Sequence, residues 1–369
     1  MSRFEVEVDC PLHDSFRVQQ VAGMFDVPLA ERPAVRFAVD VPDASEDWQI
    51  GLIVGPSGSG KTTIARRAFG GRLCESQAWP TDRAVVDGFG DLNIKQITGL
   101  LTAVGFGSPP AWVKPYQVLS RGEQFRCDLA RALADRLASE TSNENGNQDI
   151  IAFDEFTSVV DRTVAQMGSS AIAKAIRGGL VPCRFVAVTC HYDVAEWLEP
   201  DWVVDMATQS CQRRRLRRPP LEIEVYRCRR RLWSLFVPHH YLSGALSAVA
   251  RCYVAYWRGR PVAFCATLPL IGKKNYWRIT RIVTLPDFQG VGIGMRVAEA
   301  VCQMHRDAGC RMNVTASHPA LIAHCTRSPL WRTARVLKRG AGDMRRFISN
   351  YQSSIGRSVV SFEYRGEAA

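Results

Sequence analysis

The chain is 369 residues long, with 46% hydrophobic and 22% charged side chains, an ordinary balance for a soluble globular protein of two domains. No apolar run approaches the ~18 residues of a membrane-spanning helix, and the 12 cysteines stand singly, without the CxxC pairs of a zinc site. The net charge of +11 is uneven: residues 1–210 carry 19 Lys and Arg against 28 Asp and Glu, whereas residues 211–369 carry 28 against 8.

These features predict a cytoplasmic protein with reduced, mostly buried thiols and no membrane partner. The opening MSRFEVEVDC alternates as a strand does and has no signal-peptide apolar core. WQIGLIVGPSGSGKTTIARRAF, from Trp48, reads as a buried strand, a glycine loop and a helix. The loop fits GxxxxGK(S/T) at Gly55, Gly60, Lys61 and Thr62. Gly55, Pro56, Ser57, Gly58, Ser59, Gly60, Lys61, Thr62 and Thr63 are therefore predicted to cradle ATP, through convergent backbone N–H groups and the positive end of the helix. Lys61 would reach the outer phosphates, and the Thr62 hydroxyl would hold Mg²⁺.

VLSRGEQFRCDLARAL, 118–133, opens a helix at Ser120-Arg121-Gly122-Glu123, with apolar Phe125, Leu129, Ala132 and Leu133. Its Ser120 and Gly122 N–H groups would form another anion site. SETSNENGNQD, 139–149, reads as a polar surface loop. DIIAFDEF, 149–156, is an apolar strand ending in two carboxylates. Asp154 is placed to ligate Mg²⁺ through water, and Glu155 to polarise the attacking water. FVAVTCH, 185–191, is a strand ending in His191, within reach of a γ-phosphate.

The order of these motifs over residues 1–210 resembles ABC-type ATPases: Walker A, a signature, Walker B with its Glu, and a switch histidine. LSRGEQFR departs from LSGGQQQR, with Arg121 for a glycine and Glu123 for a glutamine, but keeps the serine and second glycine that face nucleotide. SVVD, 158–161, looks like the D-loop, with Asp161 as its acid. Gln77, Gln96 and Gln117 compete for the Q-loop position, and Asp87 is a fourth candidate. The resemblance implies an ATP-driven, head-to-tail homodimer in which each signature completes the other subunit's site. Residues 62–119, between Lys61 and Ser120, are too few for the coiled-coil insertion of chromosome-maintenance ABC ATPases.

CQRRRLRRPP, 211–220, marks the expected seam between a domain at 1–210 and one at 221–369. Its arginines cannot pack into a core, and Pro219-Pro220 forces extended backbone. It reads as a solvated linker or a phosphate-gripping arm. LEIEVYRC then alternates as a strand, and RCYVAYWRGRPVAFCATLPL reads as strand, turn and strand. RITRIVTLPDF is a further strand, with Ile279, Ile282, Val283 and Leu285 apolar. QGVGIG follows, then MRVAEAVCQMHRDAG as a helix and CRMNVTAS as another strand. The glycine loop lacks GK(S/T), and Met295 stands where a dinucleotide fingerprint needs its third glycine.

The hairpin, strand, QxxGxG loop, helix and strand resemble the GNAT acyltransferase superfamily over roughly 221–345. The expected fold is thus an N-terminal P-loop ABC-type α/β domain plus a C-terminal α+β GNAT-like domain. The resemblance implies acetyl-CoA or another acyl-CoA as cofactor. Its pyrophosphate would lie on Gln289, Gly290, Val291, Gly292, Ile293 and Gly294, and its pantetheine arm against Val283, Thr284 and Leu285. Acyl transfer needs a base for the acceptor nitrogen and a donor for the leaving thiolate. Carboxylates are sparse here, so PHHYLSG and SHPALIAHC supply the candidates: His240, Tyr241, Ser317 and His318. His305, mid-helix beside Arg306, is predicted to be a surface residue.

The basic half predicts a polyanionic partner, and a nucleic acid fits better than a cofactor alone. Tyr253, Tyr256, Trp257, Tyr276 and Trp277 interleave with Arg258, Arg260, Lys273, Lys274 and Arg278, a pattern suited to base stacking beside phosphate contacts. HHYLSG with SHPALI and SPLW also looks similar to phage-type GNAT enzymes of the Mom type, which modify DNA bases. The leading reading is an ATP-dependent acyltransferase acting on nucleic acid. A second is an acetyltransferase for a protein or small amine, regulated by ATP. A third is a DNA-binding ABC ATPase with a non-catalytic GNAT-like platform.

Overall fold

A computed structural model describes residues 1–8, 14–26, 35–74, 78–138, 150–213, 220–240, 245–337 and 358–366. The polar segment at 139–149, Gln77, Tyr241 and most of the arginine-rich seam lie outside them. In chain order the first elements are β1 (Ser2–Val8), α1 (Phe16–Phe25), β2 (Val35–Val41), β3 (Ile50–Val54), α2 (Lys61–Phe69) and β4 (Leu73–Cys74). Next come α3 (Ile94–Ala103), α4 (Pro109–Trp112), α5 (Arg121–Ala138), β5 (Ile150–Phe153) and α6 (Arg162–Arg177). β6 (Arg184–Thr189), α7 (Val194–Leu198), β7 (Trp202–Asp205) and β8 (Ser210–Arg213) follow. The remainder comprises β9 (Glu224–Cys228), β10 (Arg251–Trp257), β11 (Arg260–Pro269), β12 (Tyr276–Thr284), α8 (Ile293–Asp307), β13 (Arg311–Ala316), α9 (Pro319–Arg327), β14 (Trp331–Leu337) and β15 (Val359–Tyr364).

The chain divides into two compact units, and they do not follow chain order. One comprises 1–75, 143–158 and 182–217; the other comprises 76–142, 159–181 and 218–369. The helical segments carrying α3 to α6 therefore pack with the C-terminal part of the chain.

In the first unit a six-stranded sheet has the order β4-β5-β6-β3-β7-β8, parallel except for β8. β3 is buried at all five positions, as expected of a central parallel strand covered on both faces. Gly51 in β3 must lack a side chain, because a Cβ there would collide with the Trp202 ring. β1 and β2 form a separate antiparallel pair. Val6, Phe37 and Val39 from that pair share a core with Ile64 and Ala65 of α2 and with Val186 and Val188 of β6.

In the second unit a seven-stranded sheet has the order β14-β15-β13-β12-β11-β10-β9. All its pairings are antiparallel except β12 with β13, which α8 connects. That parallel pairing runs only from Tyr276↔Arg311 to Ile279↔Val314, although both strands continue. A bulge in β12 between its partners Ala266 and Thr267 sits where the two strands part, and bulges bend the strand that carries them. Thr280 to Thr284 of β12 are therefore not paired with β13. α8 lays Val297, Ala298, Val301 and Cys302 on one sheet face, and Met167 of α6 joins the same core. The short 3-10 turns at Arg230–Leu235 and Val237–His239 cover the other face, where Trp233 and Phe236 meet Phe264 and Val283.

Three expectations need correction. α8 begins at Ile293, inside the glycine loop, because Gly292 at φ +100 is its N-cap. β12 starts two residues before Arg278, at Tyr276. His305 is not on the surface: it is 2% exposed, and its Nε2 lies 3.1 Å from both Tyr253 Oη and Thr267 Oγ1. Burial first, then Arg251 and Arg227, lowers its pKa from 6.5 to about 4. Neighbouring Arg306 marks only the solvent side of the helix.

Candidate functional site

The residues predicted to handle ATP lie at the carboxyl ends of adjacent strands in the first unit. The glycine loop follows β3, Asp154 and Glu155 follow β5, and His191 follows β6, with β5, β6 and β3 neighbours in the sheet. Parallel sheets bind ligands beyond those ends. Gly60 caps α2 at φ +82, with Phe37 so close that a Cβ would lie 2.6 Å from its ring. Lys61, Thr62 and Thr63 thus form the first turn, where N–H groups and the helix dipole favour an anion. Lys61 is buried and its Nζ donates to Pro56 O at 2.7 Å. The Ser59 hydroxyl is buried in the same loop with no hydrogen-bond partner. A buried orphan hydroxyl and a lysine turned onto its own loop fit a phosphate group, which would satisfy both.

Asp154 Oδ1 accepts the Glu155 N–H at 2.9 Å, and Glu155 has φ 51. Left-handed backbone at a bulky non-glycine residue is strain of the kind found at functional sites. The His191 N–H donates to Thr189 Oγ1 at 3.2 Å, fixing the turn after β6. Were ATP and Mg²⁺ to bind here, Lys61, Thr62 and Asp154 are the residues that would hold phosphate and metal, and Glu155 the carboxylate that would polarise a water.

The signature stretch belongs to the second unit. Ser120 donates from both its N–H and its hydroxyl to Glu123 Oε2, each at 2.9 Å. The glutamic acid standing at the glutamine position of LSGGQ thus closes a capping box on its own serine. Gly122 is pressed against Val164 of α6, with a Cβ position 3.1 Å from it. Asp161 caps α6 by accepting from Thr163 N and Val164 N. Asp87 lies in a 3-10 turn, Val85–Gly88. Gln96 closes the capping box of α3, and Gln117 donates to Trp79 O and Pro80 O.

The second glycine loop follows the part of β12 that is not paired with β13 and leads into α8. Gly290 and Gly292 take φ +90 and +100, and a Cβ on Gly294 would lie 2.8 Å from Thr284 Oγ1. Side chains are thereby excluded at those three positions, leaving backbone N–H groups at the start of a 15-residue helix. This cradle and the end of β12, where Val283 and Thr284 pair with β11 but not with β13, fit a coenzyme with a pyrophosphate and an amide-bearing arm. Acetyl-CoA would bring the activated thioester; the chain's part is to bind it and to move protons.

Gln289 is fully engaged: its Nε2 donates to Thr284 O at 2.9 Å, and its Oε1 accepts the Gly107 N–H at 2.7 Å. Gly107 also meets His318 through a backbone hydrogen bond. The loop between α3 and α4 therefore joins the glycine loop to the start of α9. Arg126, wholly buried in α5, has Asp287, Glu123 and Asp161 as charged neighbours. Burial pushes the Asp287 carboxyl up, against the pull of Arg126.

His318 caps α9, its Nδ1 accepting the Ala320 N–H at 3.3 Å, and its ring lies 6.3 Å from that of Trp112. Burial lowers its pKa, opposed by the Gly107 bond. Its ring is committed to positioning, which leaves it poorly placed to take a proton. Ser317 follows β13 directly and is half-buried. His240 is buried on the opposite sheet face, edge-on to Trp233 at 5.5 Å. Tyr241 lies outside the described residues. Of the five rings predicted to stack on bases, Tyr253, Trp257 and Tyr276 are core, and Arg251 covers Trp277 at 4.0 Å.

Gly105, Gly107, Ala171 and Lys174 escaped the sequence reading, because nothing local links 105–174 to 289–292. No described helix is long and apolar enough to cross a membrane, and no group of three or more His, Cys, Asp or Glu suited to a metal occurs among the described residues.

No curated protein matches the sequence. The chain is similar to the solved dimer of the ATP-binding cassette MJ0796 bound to ADP and Pi, at 16% identity over 51% of this chain and 94% of that one (TM-score 0.37). It is also similar to the IAA acetyltransferase from Bacillus cereus, at 15% identity over 39% and 99% (TM-score 0.29). A Bacillus subtilis acetyltransferase in complex with CoA gives 12% identity over 39% and 98% (TM-score 0.29). The model of the acetyltransferase (GNAT) family matches residues 213–324 of the chain.

Proposed function

We propose that the protein is an ABC-type ATPase coupled to a CoA-dependent N-acyltransferase, with nucleic acid as the acylated polymer. The observation that carries the coupling is the bond from Gly107 N–H to Gln289 Oε1, which ties the signature-bearing helical segment to the coenzyme loop. ATP-driven head-to-tail pairing of two chains would shift that segment, and the coenzyme loop would feel the shift directly. ATP with Mg²⁺ and acetyl-CoA are the cofactors of this reading. The basic excess of residues 211–369 supports a polyanionic acceptor in the cytoplasm. Base modification would require the base to be unstacked into the site. Mass spectrometry of nucleosides from expressing cells tests the reading: an acyl adduct present with the wild type and absent with Gly292→Val is expected. No adduct in either would count against it.

A second reading, acetylation of an acidic protein or a small amine under ATP control, is favoured by the burial of Tyr253, Trp257 and Tyr276. Rings locked in the core offer no stacking platform. Activity on protein extract that survives nuclease treatment would select this reading.

A further inference from the structure

The start of α8 has an electrostatic arrangement that a bare helix would avoid. Helix N-termini carry partial positive charge and attract acids, while cations there are unfavourable. The first turn of α8 has no acidic residue, and Arg296 stands within it, its Nη1 3.9 Å from Glu299 Oε2. A second cation arrives from outside the GNAT-family domain: Lys174, exposed on α6, places its Nζ 3.4 Å from Val291 O. The same ammonium would be 2.9 Å from a Cβ on the N-cap Gly292.

This approach is built into the fold rather than left to a flexible side chain. Gly290 can lie against Gly105 and Ala171 because all three are small: a Cβ on Gly290 would be 2.5 Å from Gly105 Cα and 2.7 Å from Ala171 Cβ. Gln289 pins the loop to Gly107 on the same side. The helical segment thus holds a lysine beside the start of α8, where the first N–H groups lack intrahelical partners.

From this we infer that Lys174 is a phosphate-binding residue of the coenzyme site, supplied by the helical segment and not by the acetyltransferase fold. The inference rests on the reading of 213–324 as a CoA-dependent acetyltransferase. The ammonium contributes charge-assisted hydrogen bonding to the pyrophosphate, which the backbone N–H groups of residues 291–294 alone cannot match. Because α6 carries Lys174, displacement of α6 would weaken the coenzyme's hold without altering any residue of the GNAT-family domain.

The test is calorimetric titration of the full chain with CoA and, separately, with pantetheine, which has no phosphate. Lys174→Met is expected to weaken CoA binding about tenfold while leaving pantetheine unchanged, and Lys174→Arg to restore most of the loss. Wild-type affinity for CoA in Lys174→Met would overturn the role of Lys174 and leave the acetyltransferase reading standing. An equal loss for CoA and pantetheine would show a merely structural role and also overturn it. A wild-type chain that binds no CoA would overturn both.

Discussion

Replacing Gly290 by alanine puts a methyl group where two neighbours already stand. Gly290 has φ +90, and its Cβ position lies 2.5 Å from Gly105 Cα and 2.7 Å from Ala171 Cβ. Left-handed backbone costs an alanine about 1–2 kcal/mol. Forced overpacking adds about 1–3 kcal/mol, and a backbone atom on the far side leaves no rotamer to relieve it. Gly259→Ala is the matched control: its φ is +74, with nothing within 4 Å, so only the backbone cost applies. The difference between the two variants isolates the contact between the helical segment and the coenzyme loop. Hydrogen exchange read by mass spectrometry on peptides over 100–108 and 286–296 reports that contact locally. Gly290→Ala is expected to speed exchange in both peptides by on the order of tenfold, whereas Gly259→Ala leaves them unchanged. Equal protection of those peptides in the two variants would refute the reasoning.

Lys61→Ala is expected to abolish ATP binding in a fluorescent-nucleotide titration, because it removes the buried ammonium of the glycine loop. Glu155→Gln is expected to keep binding but stall hydrolysis and trap a dimer on size exclusion; normal turnover would show that the base lies elsewhere. Glu123→Gln replaces the carboxylate now held by both donors of Ser120, so ATP-dependent dimerisation is expected at lower ATP concentration. His305 is buried neutral, with its pKa lowered from 6.5 to about 4. The unfolded chain therefore binds a proton that the folded one refuses in this window. Stability is fully present above pH 6.5 and falls as the pH drops toward about 4, and His305→Gln is expected to flatten that acid limb in urea melts.

Both glycine loops were legible in the sequence because each is a local pattern: an apolar strand, residues forced to φ > 0, then a helix. The apolar strand ending at Asp154 and Glu155 was legible for the same reason. What could not be read was the packing of the helical segments with the C-terminal part of the chain. Gly105 and Lys174 lie more than a hundred residues from the loop they touch, and a Gly in one turn and a Lys on one helix face carry no mark of their partner. His305 misled because a charged residue, Arg306, stands beside it, while its own position faces Tyr253 and Thr267 of the sheet. The aromatic and basic interleaving misled for a related reason. Alternating strand positions send half the rings inward, and Lys273 and Arg311 lie over the buried Tyr276 ring rather than leaving it open for a base.

Nucleotide control of acyl transfer is the central point to measure. Thiol release from acetyl-CoA by the full chain, with nucleic acid present, can be followed with and without ATP and Mg²⁺. Release that requires ATP, and that is lost in Lys61→Ala although CoA still binds, is the predicted result. Release at the same rate without ATP and in Lys61→Ala would contradict the coupling.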